Sequence, residues 1–317
     1  MTAGAPTAGA PPAGVPTRGG PGDHGLVVAV RLHTRSRVAL AAVSVVGFAA
    51  FTWPLLLPHV AARTGQAAGA PFVLAALLAL LLAVGLAEVA DGGLDSKALA
   101  MLGVLAAAGS VLRLVDAGTA ITEGLVFFLM IPAGRALGRG FGFLLGSLTL
   151  FASALLTVGV GPWLPFQMLA AGWFGFLAGC LPRARGRAEV VLLAGFGVVG
   201  SLLYGFLMDL SFWPFQIGEG GGEVQFDPRA GLVTNLRHFW AFHLLTGAGW
   251  DLVVGSGTGV LVLLTAGPLL AVLRRAARRG AFGAAVDFVP PTSPLSVAPA
   301  AAARDGNSAS PHPASLT

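Results

Sequence analysis

Apolar runs of about twenty residues recur along this chain, and that feature constrains the fold more than any other. At 1.5 Å per residue, a helix of that length matches a hydrocarbon core of about 30 Å. Lipid offers no partner to an exposed backbone N–H or C=O, so each run must be helical. Composition agrees: 55% of the residues are hydrophobic and 10% charged, against about 25% charged in an ordinary soluble domain. The expected fold class is an all-α, polytopic membrane helical bundle.

The runs cover residues 38–57, 71–90, 98–115, 121–137, 141–160, 164–181, 190–208 and 252–273, with a short piece, 239–246, leading into the last. The first two make an N-terminal transmembrane hairpin over 38–90, and the other six a core over 98–279. Residues 1–37 are rich in Ala, Gly and Pro and lack the compact apolar region of a cleaved signal peptide. They read as a disordered cytoplasmic tail, as do residues 280–317 with Pro290, Pro291, Pro294 and Pro299. The single cysteine, Cys180, cannot form an internal disulfide. Its Leu-Ala-Gly-Cys context matches a lipoprotein lipidation box by coincidence, because such signals sit at the N-terminus.

The formal charge of +5 does not point to nucleic acid, because the arginines lie in short clusters between apolar runs. Threading eight spans from a cytoplasmic N-terminus puts Arg31, Arg35, Arg37, Lys97, Arg135, Arg139, Arg183, Arg185, Arg187, Arg274, Arg275, Arg278 and Arg279 on one side. Only Arg63, Arg113, Arg229 and Arg237 fall opposite. Short basic loops stay cytoplasmic, so both termini are expected inside, in a cell membrane. The same threading gathers Trp53, Trp163, Trp213, Trp240 and Trp250 near the outer face, as an interfacial belt or as the lining of an outer pocket.

A charge inside the hydrocarbon is costly and retained for work. Here the carboxylates fall at span ends or in loops: Glu88 near the inner end, and Glu123, Asp209 and Asp251 near the outer ends. No ion-driven motor is therefore evident in the spans. Catalytic signals are weak as well. Gly195-Phe-Gly-Val-Val-Gly200 matches a dinucleotide fingerprint, but it lies inside an apolar run with no preceding strand, so helix packing accounts for it better. His238 and His243 are five positions apart and lack zinc-protease spacing. Their outer position suits substrate contact or interfacial solvation. Ser256, between Gly255 and Gly257, has no histidine base securely placed beside it. No catalytic residue, metal site or cofactor is expected.

Small residues recur four apart: Gly142 and Gly146, Gly175 and Gly179, Gly103 and Ala107, Ser201 and Gly205. Such pairs let backbones approach where hydrophobicity cannot drive association. They serve the protein's own bundle or dock another membrane protein.

The run from Phe127 to Gly146, the span to Val160, the turn Gly161-Pro-Trp-Leu-Pro-Phe-Gln167 and its glycine-rich continuation to Cys180 carry a resemblance. With Gly249-Trp-Asp251 ahead of the last span, residues 98–279 resemble the substrate-binding S component of energy-coupling factor (ECF) vitamin transporters. The resemblance implies a six-helix bundle that captures a water-soluble vitamin at the outer face; the aromatic content and the long outer connection favour cobalamin or another corrinoid, with thiamine, pyridoxine and riboflavin left open. It also implies association with a transmembrane coupling subunit and two cytoplasmic ATPase subunits. The docking face of that family carries an alanine-xxx-alanine pattern; the nearest counterpart here is Gly103-xxx-Ala107, with Ala106-xxx-Ser110 beside it. The N-terminal hairpin is an addition to the minimal six-helix pattern.

In the quoted turn, Pro162 and Pro165 restrict the backbone at a helix start, Trp163 offers a stacking or anchoring ring, and Gln167 can hydrogen-bond a ligand. The expected outer site comprises Arg113, Glu123, Trp163, Gln167, Trp213, His243, Trp250 and Asp251, with Arg113 and Asp251 as polar anchors. An intramembrane enzyme and a non-transporting scaffold are the alternatives to import.

Overall fold

The computed structural model describes residue 29 and residues 32–56, 76–87, 94–114, 124–213 and 222–280, a few positions within those ranges aside. The described residues form helices and no strand. In chain order these are α1 Thr34–Leu56, α2 Ser96–Leu114, α3 Leu125–Leu137, α4 Arg139–Leu156, α5 Leu164–Cys180, α6 Arg187–Phe212, α7 Leu232–Phe242, and α8 Ala248–Gly280. A π-helical turn, His243–Gly247, joins α7 to α8 without a break. Among the described residues five helical stretches are long and apolar enough to cross a membrane, as suits a multi-pass membrane protein. Their outward faces carry large apolar side chains, Val45, Val104 and Leu264 among them. A water-soluble protein rarely exposes such a continuous surface. The expected tails, 1–37 and 280–317, are cut back at their inner edges: residues 34–37 are the first turn of α1, Gly280 ends α8, and the Ala29 N–H donates to the Leu137 carbonyl (2.9 Å). Their remaining residues, 32 and 33 aside, and the turn of the expected hairpin lie outside the described residues; helical residues recur over Ala76–Gly85.

Helix ends confirm an antiparallel threading through side-chain contacts. At one end, Lys97 at the start of α2 donates to the Gly280 carbonyl at the end of α8 (3.1 Å). At the other, Arg113 at the end of α2 donates to Ser153 near the end of α4 and to Gln167 near the start of α5, each at 3.4 Å. Arg135, Arg139, Arg187 and Arg274 share the first end with Lys97, hereafter the basic end. Trp163 and Trp250 lie at the starts of α5 and α8, the aromatic end.

The short helix α3 is central. Its 13 residues span about 20 Å, less than a hydrocarbon core, yet neighbours enclose it and its ends need not reach water. Phe127 packs on Phe174 of α5 and Tyr204 of α6, with ring centroids 4.7 and 4.8 Å away. The one residue between α3 and α4 is Gly138, at φ 102°, a backbone conformation that side chains with a Cβ rarely adopt. That residue lets the chain reverse within one turn.

Glycine sets the tightest helix pairing. A Cβ on Gly142 would strike the Gly175 carbonyl, one on Gly146 the Ala171 carbonyl, and one on Gly179 the Arg139 backbone. The α4 and α5 backbones therefore touch along the two small-residue pairs that the sequence marks. Ser147 Oγ adds a hydrogen bond to the Met168 carbonyl (3.1 Å) across the same seam. The fingerprint-like glycines also pack: Gly197 lies against Thr258 and Gly259 of α8, and Gly200 against Phe174. The pair Gly103 and Ala107 behaves differently. A Cβ on Gly103 would meet nothing, and both residues are exposed on α2 beside Leu99 and Val104.

Helix α1 docks on α5 through Phe51 against Phe166 (5.1 Å) and Trp173 (5.9 Å). The Trp173 indole donates to Ser44 Oγ (3.0 Å). Farther toward the basic end, α1, α5 and α6 stand apart around a largely apolar groove of about 490 Å³, lined by Ala41, Phe176, Phe196 and Leu203 and edged by Arg37 and Arg139.

Candidate functional site

At the basic end Glu189, in the first turn of α6, is almost fully buried and accepts from two arginines. Arg135 Nε of α3 lies 2.8 Å from Oε1, and Arg274 Nη2 of α8 lies 2.6 Å from the same atom. Arg274 Nη1 reaches Oε2 at 3.0 Å. Arg135 also donates to the Leu181 and Pro182 carbonyls at 2.7 and 3.0 Å. The Glu189 carboxylate thereby ties α3, α6 and α8 together, and the Arg135 guanidinium adds the α5–α6 connection. Threading treats Arg135 and Arg274 as topological charges in loops, but tertiary packing buries Arg135 within a closed network.

The aromatic end holds two polar groups. In the first, the Arg113 guanidinium of α2 bridges Ser153 of α4 and Gln167 of α5. Gln167 lies in the first turn of α5, whose start also holds Pro165, a position where a missing N–H costs no helical bond.

In the second, Asp209, His243 and Asp251 come together from α6, the π turn and α8. One ligand atom from each lies within 4.8 Å of those of the other two. The His243 Nδ1 to Asp209 Oδ2 distance is 2.7 Å. His243 and Asp251 are buried, at 8% and 7% exposure, and the Asp209 side chain retains 24%. Two glycines make the room: Gly205 of α6 lies against the Asp251 carboxylate, and Gly247 of the π turn against that of Asp209. Three rings enclose the imidazole. Phe239 stacks on it at 6.0 Å and 15°, while Phe206 and Trp240 meet it edge-on at 5.4 and 6.0 Å.

The π turn accounts for the register of this second group. His243 and Asp251 are eight positions apart, which in an ideal α-helix turns them about 80° from one another. One inserted residue absorbs about 100°, leaving the two side chains on nearly the same face.

The expected site residues thus divide. Arg113 and Gln167 bond to each other, and His243 and Asp251 join Asp209. Trp163 and Trp250 are 45% and 44% exposed at the rim. Trp213 is buried: its indole N–H donates to the Val224 carbonyl (2.7 Å), and its ring packs on Phe226 and Phe239. It braces the wall behind His243 and offers no open face. Glu123 lies outside the described residues, as does Glu88. Arg113 and Asp251, expected as paired anchors, belong to different groups at the same end. Asp209 was legible only as an outer carboxylate; its pairing with a residue 34 positions away has no local signal.

Ser256 is exposed on α8, whereas Gly255 and Gly259 face Val198 of α6. His238 Nδ1 is engaged with the Gln225 carbonyl at 2.8 Å, which fixes the loop ahead of α7. Comparison with family models, curated proteins and solved structures finds no match for this chain.

Proposed function

We propose that this chain is the substrate-binding membrane component of an importer of the ECF type, capturing a water-soluble vitamin at the outer face. The observation that carries the proposal is the presence, at the aromatic end, of two polar groups drawn from five elements, Arg113 with Gln167 and Asp209 with His243 and Asp251, with Trp163 and Trp250 exposed nearby. A few convergent polar groups among aromatic walls is how proteins hold a small polar solute.

Glu189 and Asp209 stand twenty positions apart on α6, about 30 Å along the helix, so the two charged layers bracket one hydrocarbon thickness. Side chains between them on α6 and α8 are apolar, small or hydroxylic. Energy for inward movement then comes from partners: a coupling subunit seated on the open Gly103 and Ala107 face of α2, with two cytoplasmic ATPase subunits. The basic end faces the cytoplasm in this scheme, by the positive-inside rule. The six helices from α2 onward, with the α7 turn as a lead-in, form the vitamin-binding core. The α1 hairpin is an accessory. A corrinoid is the favoured cargo, on the aromatic content and the long connection from Asp209 to Trp240.

One observation favours a hydrolytic reading, the 2.7 Å His243–Asp209 pair, which has the form of a general base with its orienting carboxylate. Ser256, the nucleophile that the sequence offers, is thirteen positions from His243, about 20 Å along the helix, and faces outward. Import is the better reading.

Mass spectrometry of small molecules released from the gently purified full chain tests it. A vitamin should appear at near-stoichiometric amount and be reduced in Arg113→Ala and Asp251→Ala. Accumulation of a solute by the chain alone in liposomes, under a proton or sodium gradient only, would overturn the proposal.

A further inference from the structure

We infer that Asp209, His243 and Asp251 bind one divalent first-row transition-metal ion. The ligand atoms already lie within 4.8 Å of one another. A tetrahedral ion with ligand distances of about 2.1 Å holds its donors about 3.4 Å apart. Side-chain rotation of about 1 Å in each carboxylate closes that difference. One imidazole nitrogen with two carboxylate oxygens and no sulfur suits Zn²⁺, Mn²⁺, Co²⁺ or Ni²⁺ and not Cu⁺. Three protein ligands leave a coordination position open, as in metal sites that bind a further ligand.

The surroundings fit an ion better than a hydrogen-bonded lock alone. A divalent cation bound between two carboxylates attracts both and removes the like-charge repulsion that their ionised forms would exert on each other. A lock between His243 and Asp209 needs no third ligand, yet Asp251 is brought to the same point by the π turn. Gly205 and Gly247 give up side chains where the two carboxylates lie. Phe206, Phe239 and Trp240 fix the imidazole plane from three directions, so the ligand is oriented before an ion arrives. Asp209, 24% exposed, is the point of entry. These three residues also belong to the proposed vitamin site, but ion binding is a property of the solute-free chain and is measured without the vitamin, so the two readings fail separately.

The probe is Co²⁺ titrated into the full chain in detergent after chelator treatment. Visible ligand-field absorption and metal stoichiometry are read together. One ion per chain is expected, with affinity lowered about tenfold or more in His243→Ala and in Asp251→Asn. His238→Ala, whose ring bonds elsewhere, should bind as the native chain does. Gly205→Ala keeps every donor and pushes a methyl into the Asp251 carboxylate, so it should also bind more weakly. That variant decides the matter if a ligand substitution impairs folding. Co²⁺ in the site should quench Trp240 fluorescence, a signal that Trp240→Phe removes while binding persists. Substoichiometric Co²⁺ in the native chain, or native affinity in both His243→Ala and Asp251→Asn, overturns the inference, and neither result bears on the bound-vitamin assay.

Discussion

At the basic end, Glu189 sits between Arg135 and Arg274 with both oxygens engaged. At the aromatic end, two carboxylates meet around a single imidazole. In the first arrangement two cations surround one carboxylate; in the second, acids outnumber the base. Both occur on the same two helices, α6 and α8, about 30 Å apart. The contrast teaches that burial of charge alone does not mark a binding site; the stoichiometry of the opposing groups does.

Breaking the closed end should have the largest effect. Glu189→Ala leaves two arginines facing each other in a mostly buried site, a loss of about 3 kcal/mol or more, read as a fall in thermal unfolding midpoint in detergent. Asp251→Asn should lower that midpoint far less. An equal fall in both variants would erase the distinction between the ends.

A second test separates the ends from the seam between them. Gly142→Leu forces a side chain against the Gly175 carbonyl and should cost about 1–3 kcal/mol, with α4 and α5 driven apart. Smaller again is the ligand effect at the open end. Arg113→Ala should weaken solute binding about tenfold, near 1.4 kcal/mol, with little change in unfolding. Trp213→Phe keeps an aromatic side chain but loses part of the buried ring and the indole hydrogen bond to Val224, which should lower stability by about 1 kcal/mol. Smallest of all, Gly103→Leu adds a side chain in open space and should shift stability by about 0.5 kcal/mol or less. If Gly103→Leu nevertheless abolishes co-purification with a coupling subunit, the α2 face is the docking surface.

Much of the fold was legible because membrane helices announce themselves by length and apolarity. The runs at 98–115, 164–181 and 190–208 became α2, α5 and α6 with small shifts at their ends. The run at 252–273 extends to Gly280 because Arg274, Arg275, Arg278 and Arg279 favour a helix C-terminus and can reach water along their stems. The piece at 239–246 divides between α7 and a π turn, which propensity does not encode. Small-residue spacing located the α4–α5 seam, but the same spacing at Gly103 and Ala107 gave an open face. Spacing shows that a backbone can be approached and is silent on what approaches it.

The sequence by itself determined that the chain is helical and apolar along its spans, and that its charges lie at the span ends, because those properties follow from residue type and run length. Tertiary structure alone decided which charges meet. Arg135 found Glu189 and Arg274, and Asp209 found His243 and Asp251, through pairings that depend on helix rotation and on one inserted π residue. A rotation of about 100° per residue moves a side chain from a neighbour to lipid, so local pattern cannot fix such contacts until the helices have packed.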